Sequence, residues 1–488
     1  MSDQVFRFTD QILLSATASD DRGVARVEFR VDGNVIVTDA TAPYGAAVTG
    51  LPAGEHVARA TAIDGGTPPR ATSAQVRFRV DGAINPYVGA RVYVNPEWSA
   101  KALAEPGGDR VAHQPTAVWL DRIAAIQGSA TAMGLAEHLD QAVIQAAGQP
   151  MVVQLVLYNL PGRNCGRMVS HGELSPAELS RYKAEFVDPI AEIIGRPAYA
   201  HLRIVTVIEP DSLPNLVTST GGRPTATMLC EVMLTNGAYV NGIGYALARL
   251  GALPNVSNYV DVSHHGVIGW EDDLVPTVDL LARAAVASGS TKANVHGFVT
   301  NTANYSALRE PFIPMTDQYR ATNWVDFNQF NDELTFAQAL RGRLAQAGFA
   351  PSVGFLIDTS RNGWGGPTRP AGPSTALDPN VFVDQSRIDR RISKNNYCNQ
   401  AGAGLGERPT AAPAEGIHAY AWIKPPGVSD GPSVKILDEG FDRMCDPTYI
   451  GPPPGRGTPT GALAGAPDAG VWFPAQFQQL MQNAYPPL

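Results

Sequence analysis

Charged side chains make up only 17% of this 488-residue chain, and basic residues (37) are outnumbered by acidic ones (46), giving a formal net charge of −9. No basic excess is available to draw the chain to nucleic acid or to an anionic bilayer. Apolar runs of 18 or more residues are missing, so no segment reads as a membrane-spanning helix. Cysteine is sparse: Cys165, Cys230, Cys398 and Cys445 form no C-x-x-C pair, which removes zinc knuckles and thioredoxin-type motifs. A charged and apolar leader is also lacking after Met1-Ser2-Asp3, which leaves a cytosolic protein or one whose signal peptide is absent from this sequence. An even number of widely spaced cysteines, in a chain with 48 glycines and 39 prolines, favours the second case: two disulfides and an extracellular setting. Three connectivities are open.

Two textures divide what is present. Over residues 1–82, Ile12–Ala18, Val24–Val31 and Val57–Ile63 alternate with period two, separated by turn clusters such as Asp20-Asp21-Arg22-Gly23, Asp32-Gly33-Asn34 and Asp64-Gly65-Gly66. Short strands at this spacing predict a small antiparallel β-sandwich. The segment resembles a bacterial immunoglobulin-like module with its first strand trimmed, and a spacer role is the expectation. Over residues 83–488 the period changes. Apolar strand-like runs at 151–158, 203–208, 255–262, 295–300, 353–358 and 417–423 alternate with helical patterns over Glu178–Ile194, Leu229–Leu250, Leu274–Ala287 and Glu333–Gln346. Such alternation predicts an α/β domain with a parallel sheet closed into a distorted (β/α) barrel, its site at the C-terminal strand ends. Long loops at 307–330, 359–398 and 425–470 are candidate site walls.

The strand ends carry the chemistry. The run 203–208 stops at Glu209-Pro210-Asp211, two carboxylates held by a proline at the sheet rim, where partial desolvation favours the protonated form an acid catalyst needs. The run 151–157 leads into Tyr158, Arg163, Asn164 and Cys165, then Ser170; 417–423 leads into Lys424-Pro425-Pro426-Gly427-Val428-Ser429-Asp430. Between them lie Asp261-Val262-Ser263-His264-His265 and Asn301-Thr302-Ala303-Asn304-Tyr305. Carboxylates, amides, cations and aromatics on one rim suit a polyhydroxylated ligand. Glycosidases use two carboxyl groups, about 6.5–9.5 Å apart when a water must fit between them and the configuration is inverted.

From Asn85-Pro86-Tyr87 onward the chain resembles glycoside hydrolase family six, the cellobiohydrolase II and endoglucanase family, over about 400 residues. The resemblance rests on YNLPGRNC, SHGEL, VIEPDSLPNLVT, VDVSHHGVIGW, NTANY, DTSRNGWGGP, CNQAGAGLGERP, WIKPPG, FDRMCDP and AQFQQLMQNAYPP. The long loops and DTSRNGWGGPTRP look most like the bacterial exo-acting branch. The resemblance implies inverting hydrolysis of β-1,4-glucan, exo-acting with release of cellobiose, without a cofactor or a metal. It implies Asp211 as general acid, Asp430 at the position often proposed as base with Lys424 beside it, and Tyr158, Arg163 and Ser170 lining the cleavage site, Ser170 holding the water. Arg361 matches an arginine near the base, and Asp261 and His264 match further polar positions. Tyr93, Trp270, Asn301 and Tyr397 complete the expected sugar contacts. The implied disulfides are Cys165–Cys230 and Cys398–Cys445. Cellulose and cello-oligosaccharides are the expected partners, and a monomer the default state.

Departures from the family fall inside the site. Asn164 stands where R-D-C is usual, and an amide cannot take up a proton; losing an acid–base function is worth roughly 10²–10⁴ in rate. Val267 stands where a tryptophan platform is expected, Tyr397 replaces another tryptophan, and Val428 a glutamate. The alternatives are therefore a cellulose-binding protein with impaired catalysis, or an endoglucanase with an open cleft.

Other motifs read more plainly. Adjacent His264-His265 show no third ligand at metal-site spacing. The glycine-rich run 401–406 follows a cysteine loop rather than a strand, which removes a nucleotide fingerprint. Trp119 and Trp422 sit in apolar runs and read as core, whereas Trp98, Trp270 and Trp364 have glycine or polar neighbours and read as stacking platforms.

Overall fold

The computed structural model describes residues 4–7, 12–48, 51, 54–81, 85–167, 172–435, 441–450 and 457–488, and divides into two compact units, Met1–Ile84 and Asn85–Leu488. Among the described residues the first holds seven strands: β1 (Gln4–Arg7), β2 (Ile12–Ala16), β3 (Val24–Val31), β4 (Asn34–Asp39), β5 (Tyr44–Val48), β6 (Gly54–Asp64) and β7 (Ala71–Asp81). They form a sheet of order β1-β7-β6-β3-β4 and a separate β2–β5 pair. Period-two alternation puts Val27, Phe29 and Val31 inside with Tyr44, Val48, Phe78 and Val80. Asp32-Gly33, both at positive φ, turn the β3–β4 hairpin as a short two-residue connection demands. The expected trimmed first strand is present as β1, four residues paired parallel to β7.

The second unit is built on a curled sheet. Its strands are β8 (Arg91–Val92), β9 (Val118–Leu120), β10 (Met151–Leu157), β11 (Arg203–Ile208), β12 (Val256–Asp261), β13 (Gly297–Thr300), β14 (Gly354–Asp358), β15 (Thr410–Ala414) and β16 (Ile417–Ala421). The order is β15-β16-β14-β13-β12-β11-β10-β8, with β9 also on β10. Every pairing is parallel except β15–β16. The two edges meet through one bridge, Thr116 to Trp422, and the Ala117 N–H donates to the Trp422 carbonyl at 3.1 Å.

Strands buried on both faces read as continuous apolar runs, and their alternation sorts residues between two cores. Val152, Val156, Val205, Val207, Tyr259, Val299, Leu356 and Ala419 fill the inside of the curl with Tyr87 and Ile423. Val153, Leu155, Leu157, Ile204, Ile208, Phe298, Phe355 and Ile357 face the helices. The expected helix over Leu229–Leu250 is two, Met228–Asn236 and Ala238–Gly251. Gly237 sits between them at φ 66°, a left-handed residue that ends a helix cheaply because it has no Cβ. The disulfides are Cys165–Cys230 and Cys398–Cys445. None of the helices among the described residues is long and apolar enough to cross a membrane.

Candidate active site

Backbone strain gathers where the strands end. Asn164, Glu209, Asp211, Ser263, Asn301, Ala303 and Trp364 all have positive φ, between 48° and 63°, on the loops that follow β10, β11, β12, β13 and β14. Each such conformation costs on the order of 1–3 kcal/mol and persists where the surroundings dictate it. The C-terminal rim is therefore the part of the sheet organised for something other than stability.

Asp211 heads the helix Ser212–Thr218 at φ 61°. Its backbone N–H donates to Asp261 Oδ1 at 2.9 Å, and the Ser263 hydroxyl donates to its own Oδ1 at 3.0 Å. Arg167 reaches Oδ2 at 3.5 Å, and the Asp211 side chain keeps 19% of its surface. Asp261 is 2% exposed; burial, with Asp211 as a neighbouring negative charge, pushes its carboxyl well above the usual range. Since Asp261 also accepts the Ser263 N–H at 2.8 Å, it braces the acid's loop. The expectation that it contacts sugar is corrected.

Glu209, two residues earlier, points the other way. It accepts the Asn159 and Leu160 N–H groups and the Tyr182 hydroxyl inside the helix-facing core, and burial raises its carboxyl to about 7. The two carboxylates of Glu209-Pro210-Asp211 thus divide into an anchor and a rim group.

Asp430 is locked. Arg361 donates to both its oxygens at 2.9 and 2.8 Å, the Tyr305 hydroxyl and the Asn399 N–H reach Oδ2 at 2.8 and 2.9 Å, and Lys424 Nζ lies 3.6 Å from Oδ1. Desolvation opposes its ionisation, but Arg361 and Lys424 outweigh it and hold the carboxyl below the usual value. Lys424 itself is pushed down to about 8 by burial, with its Nζ 5.3 Å above the Trp119 ring.

At the end of β10 the Tyr158 hydroxyl donates to Asn164 Oδ1, the Arg163 guanidinium lies 4.5 Å over the Tyr158 ring, and Trp119 meets Tyr158 edge-on at 5.5 Å. Arg167 lies 4.0 Å over the Tyr397 ring, whose hydroxyl donates to Asp442 Oδ2 at 2.6 Å. Ser170 lies outside the described residues.

Several expected sugar contacts turn inward. Tyr93 is 1% exposed and its hydroxyl meets His138 Nδ1 at 3.0 Å among the helices; it follows β8 on the helix-facing side. His264 is buried and caps the helix His265–Ile268, its Nδ1 accepting the Gly266 N–H and meeting the Ser306 hydroxyl. Asn301 is fully buried and clamps two loops, donating to the Asp358 carbonyl and accepting the Ser306 N–H. Trp98 and Trp364 are core residues bonded to the carbonyls of Pro426 and Tyr305, so neither is a platform. Trp422 is core as expected, but Trp119 is half-buried beside Tyr158 and Lys424, at the rim. Its signal in the sequence is its place one residue before a strand's last apolar position.

Trp270 does reach the surface. Its indole N–H donates to the Asp326 carbonyl at 2.7 Å, and its ring lines a groove of about 460 Å³ with Trp324, Lys394, Asn323 and Asn395. His264, His265 and Glu333 place ligand-type atoms within 4.8 Å of one another, so a third group does exist beside the histidine pair. Those atoms are engaged: His265 Nδ1 is 2.6 Å from Glu333 Oε1, and the Thr300 hydroxyl donates to Oε2. In this structure the cluster is a buried hydrogen-bond network.

A partly exposed carboxyl group on a strained strand end, a cation-paired carboxylate at the end of another strand, and aromatic rings beside them fit an α/β glycoside hydrolase. The chain belongs to glycosyl hydrolases family 6, whose model matches residues 87–484; a bacterial Ig domain model matches residues 1–60. Among curated relatives, exoglucanase A of Cellulomonas fimi is 44% identical over 430 residues, covering 82% of this chain and 48% of that protein. This chain thus spans about half of that relative's length. The 1,4-beta-D-glucan cellobiohydrolase C of Emericella nidulans is 32% identical over 418 residues, 82% of this chain and 79% of that protein. Among solved structures, the catalytic domain of Cellulomonas fimi Cel6B aligns with a TM-score of 0.78 at 42% identity, covering 83% of this chain and 96% of that one.

Proposed function

We propose that the chain hydrolyses β-1,4-glucosidic bonds of cellulose with inversion, acting from chain ends and releasing cellobiose, in an extracellular setting. Asp211 carries the reading: it is the rim carboxylate left partly exposed, with one oxygen held by Ser263 and the other 3.5 Å from a mobile type of side chain, Arg167. It protonates the departing oxygen. Asp430 does not serve as base, because a carboxylate ion-paired by a guanidinium nitrogen that reaches both its oxygens, and by a lysine, has little affinity for a proton; it supplies fixed negative charge near the cationic transition state. Tyr158 and Trp119 offer aromatic surface beside the cleavage position, Lys424 and Arg163 polar contacts, and Trp270 a platform farther along the rim. The exo action follows the names of the exoglucanase and cellobiohydrolase relatives and the long rim loops; cello-oligosaccharide complexes of solved relatives support the ligand class.

One observation favours a second reading. Asn164 accepts the Tyr158 hydroxyl where a carboxylate would take part in proton transfer, so a binding protein of low turnover is the alternative. Turnover of cellohexaose and amorphous cellulose by this chain and by Asn164→Asp, with products resolved by length and anomer, decides between them. Release of α-cellobiose by both supports the hydrolase; binding without turnover in either supports the alternative.

A further inference from the structure

An inverting hydrolase must place the proton of its attacking water somewhere, and most carboxylates of this rim are unsuited to it. Asn164 is an amide and cannot take a proton. Asp430 is neutralised by Arg361 and Lys424. Asp261 and Asp358 are 2% and 1% exposed and hold backbone amides, Asp261 through Oδ1 only. Glu209 lies in the core, and both oxygens of Asp121 are taken by Arg122.

Asp442 is buried as well, at 5% exposed, and differs in the partner it has. Its Oδ1 accepts the Met444 N–H at 2.9 Å, while Oδ2 accepts the Tyr397 hydroxyl at 2.6 Å. A hydroxyl, unlike an amide or a guanidinium, can receive one proton as it hands on another. Tyr305 and Tyr182 make similar bonds to Asp430 and Glu209 but are fully buried, whereas Tyr397 is only partly buried. One guanidinium, that of Arg167, spans from the Tyr397 face to Asp211 Oδ2. Arg167 thus lies between the acid and the phenol, touching both.

We propose that in this chain Asp442, acting through the Tyr397 hydroxyl, accepts the proton released by the attacking water. Arg167 swings aside as a glucosyl unit enters. The water oxygen forms a bond to C1 on the face opposite the leaving group, the C1–O4 bond breaks, and O4 takes the proton of Asp211. The water proton passes to Tyr397 Oη as the phenolic proton passes to Asp442 Oδ2. Exchange with solvent then returns a proton to Asp211 and removes the one on Asp442. Burial and the Asp442 charge hold the Tyr397 phenol well above its usual range, so it acts as a neutral relay rather than as a base of its own.

The proposal rests on the hydrolase reading, and the test separates the two. Asp442→Asn keeps the cap on Met444 and an acceptor for Tyr397, and Tyr397→Phe keeps the ring under Arg167. Each is expected to lower kcat on cellohexaose by about 10²–10³-fold with KM within about threefold, with thermal unfolding near that of the parent. Azide needs no base, so adding it to Asp442→Ala is expected to restore consumption of substrate and yield α-cellobiosyl azide. Parental turnover with full activity in Asp442→Asn and Tyr397→Phe, or with no glycosyl azide from a folded Asp442→Ala, overturns the relay and leaves the hydrolase standing. A parent that binds cellohexaose without cleaving it overturns both.

Discussion

Two trios of the same residues flank this site and behave differently. In one, Arg361 lies 4.2 Å over the Tyr305 ring and Tyr305 donates to Asp430 at 2.8 Å. In the other, Arg167 lies 4.0 Å over the Tyr397 ring and Tyr397 donates to Asp442 at 2.6 Å. The difference is where the guanidinium points. Arg361 closes back on its own trio's carboxylate, and both side chains are nearly inaccessible, 0% and 6% exposed. Arg167 reaches across to Asp211 with 21% of its side chain exposed. A closed trio is a fixed charge; an open one leaves its carboxylate to the tyrosine and one backbone N–H. Identical residue types thus make a structural ion pair or a chemically available group according to one bond.

The comparison is broken most severely at the acid. Asp211→Asn is expected to reduce kcat by about 10²–10⁴-fold with little change in cello-oligosaccharide affinity, measured by steady-state kinetics and calorimetry. Next come the two arginines. Arg361→Met strands Asp430 as a buried charge and is expected to lose about 3–5 kcal/mol of stability. Arg167→Ala, at a half-exposed pair, is expected to lose no more than about 1 kcal/mol. Similar losses in denaturant unfolding would show that the trios are equivalent after all. Trp119→Ala removes a ring beside Tyr158 and Lys424 and is expected to raise KM by about three- to tenfold.

The smallest effect concerns acidity. Asp430 has a folded value below its unfolded one, so the stability it contributes is present above pH about 4 and is lost as pH falls through the folded value. The Asp430→Asn variant is expected to unfold with a flatter dependence on pH below 4 than the parent. A parent whose stability is flat across that range would mean Asp430 gains nothing from Arg361.

How far all this could be seen in the sequence depended on what kind of constraint each residue obeys. The parallel strands were legible because burial on both faces forces β-branched runs such as Arg203–Ile208 and Met151–Leu157. Asp211, Lys424 and Asp430 were legible because strand ends carry them to the rim, and Arg361 only through the family resemblance. Direction beyond the last strand residue was not. His264 and Asn301 follow strands just as Asp211 does, yet positive φ at Ser263 and Asn301 and loop clamps turn them inward, and no periodicity reports that; Tyr93 follows a strand of two residues, too short to show its face. Trp98 and Trp364 misled because polar or glycine neighbours say nothing about carbonyl acceptors far away in sequence. Arg167 and Asp442 were missed for the converse reason. Each sits in a loop next to a cysteine, and only folding brings the two loops around Tyr397.

The seam of the curled sheet has one more consequence. Thr116 and Trp422 join its two edges by a single bridge, with the Ala117 N–H and the Trp119 indole bound to the same short stretch of chain. A sheet joined at one point behaves as a split ring: the bond that closes it also sets how far its mouth can spread. Trp119 and Lys424 stand beside that closure, which rests on a handful of hydrogen bonds rather than on a full strand pairing. Exchange of the Ala117 amide with deuterium would report that breathing directly, and a ligand that grips both lips would slow it without touching the amide at all.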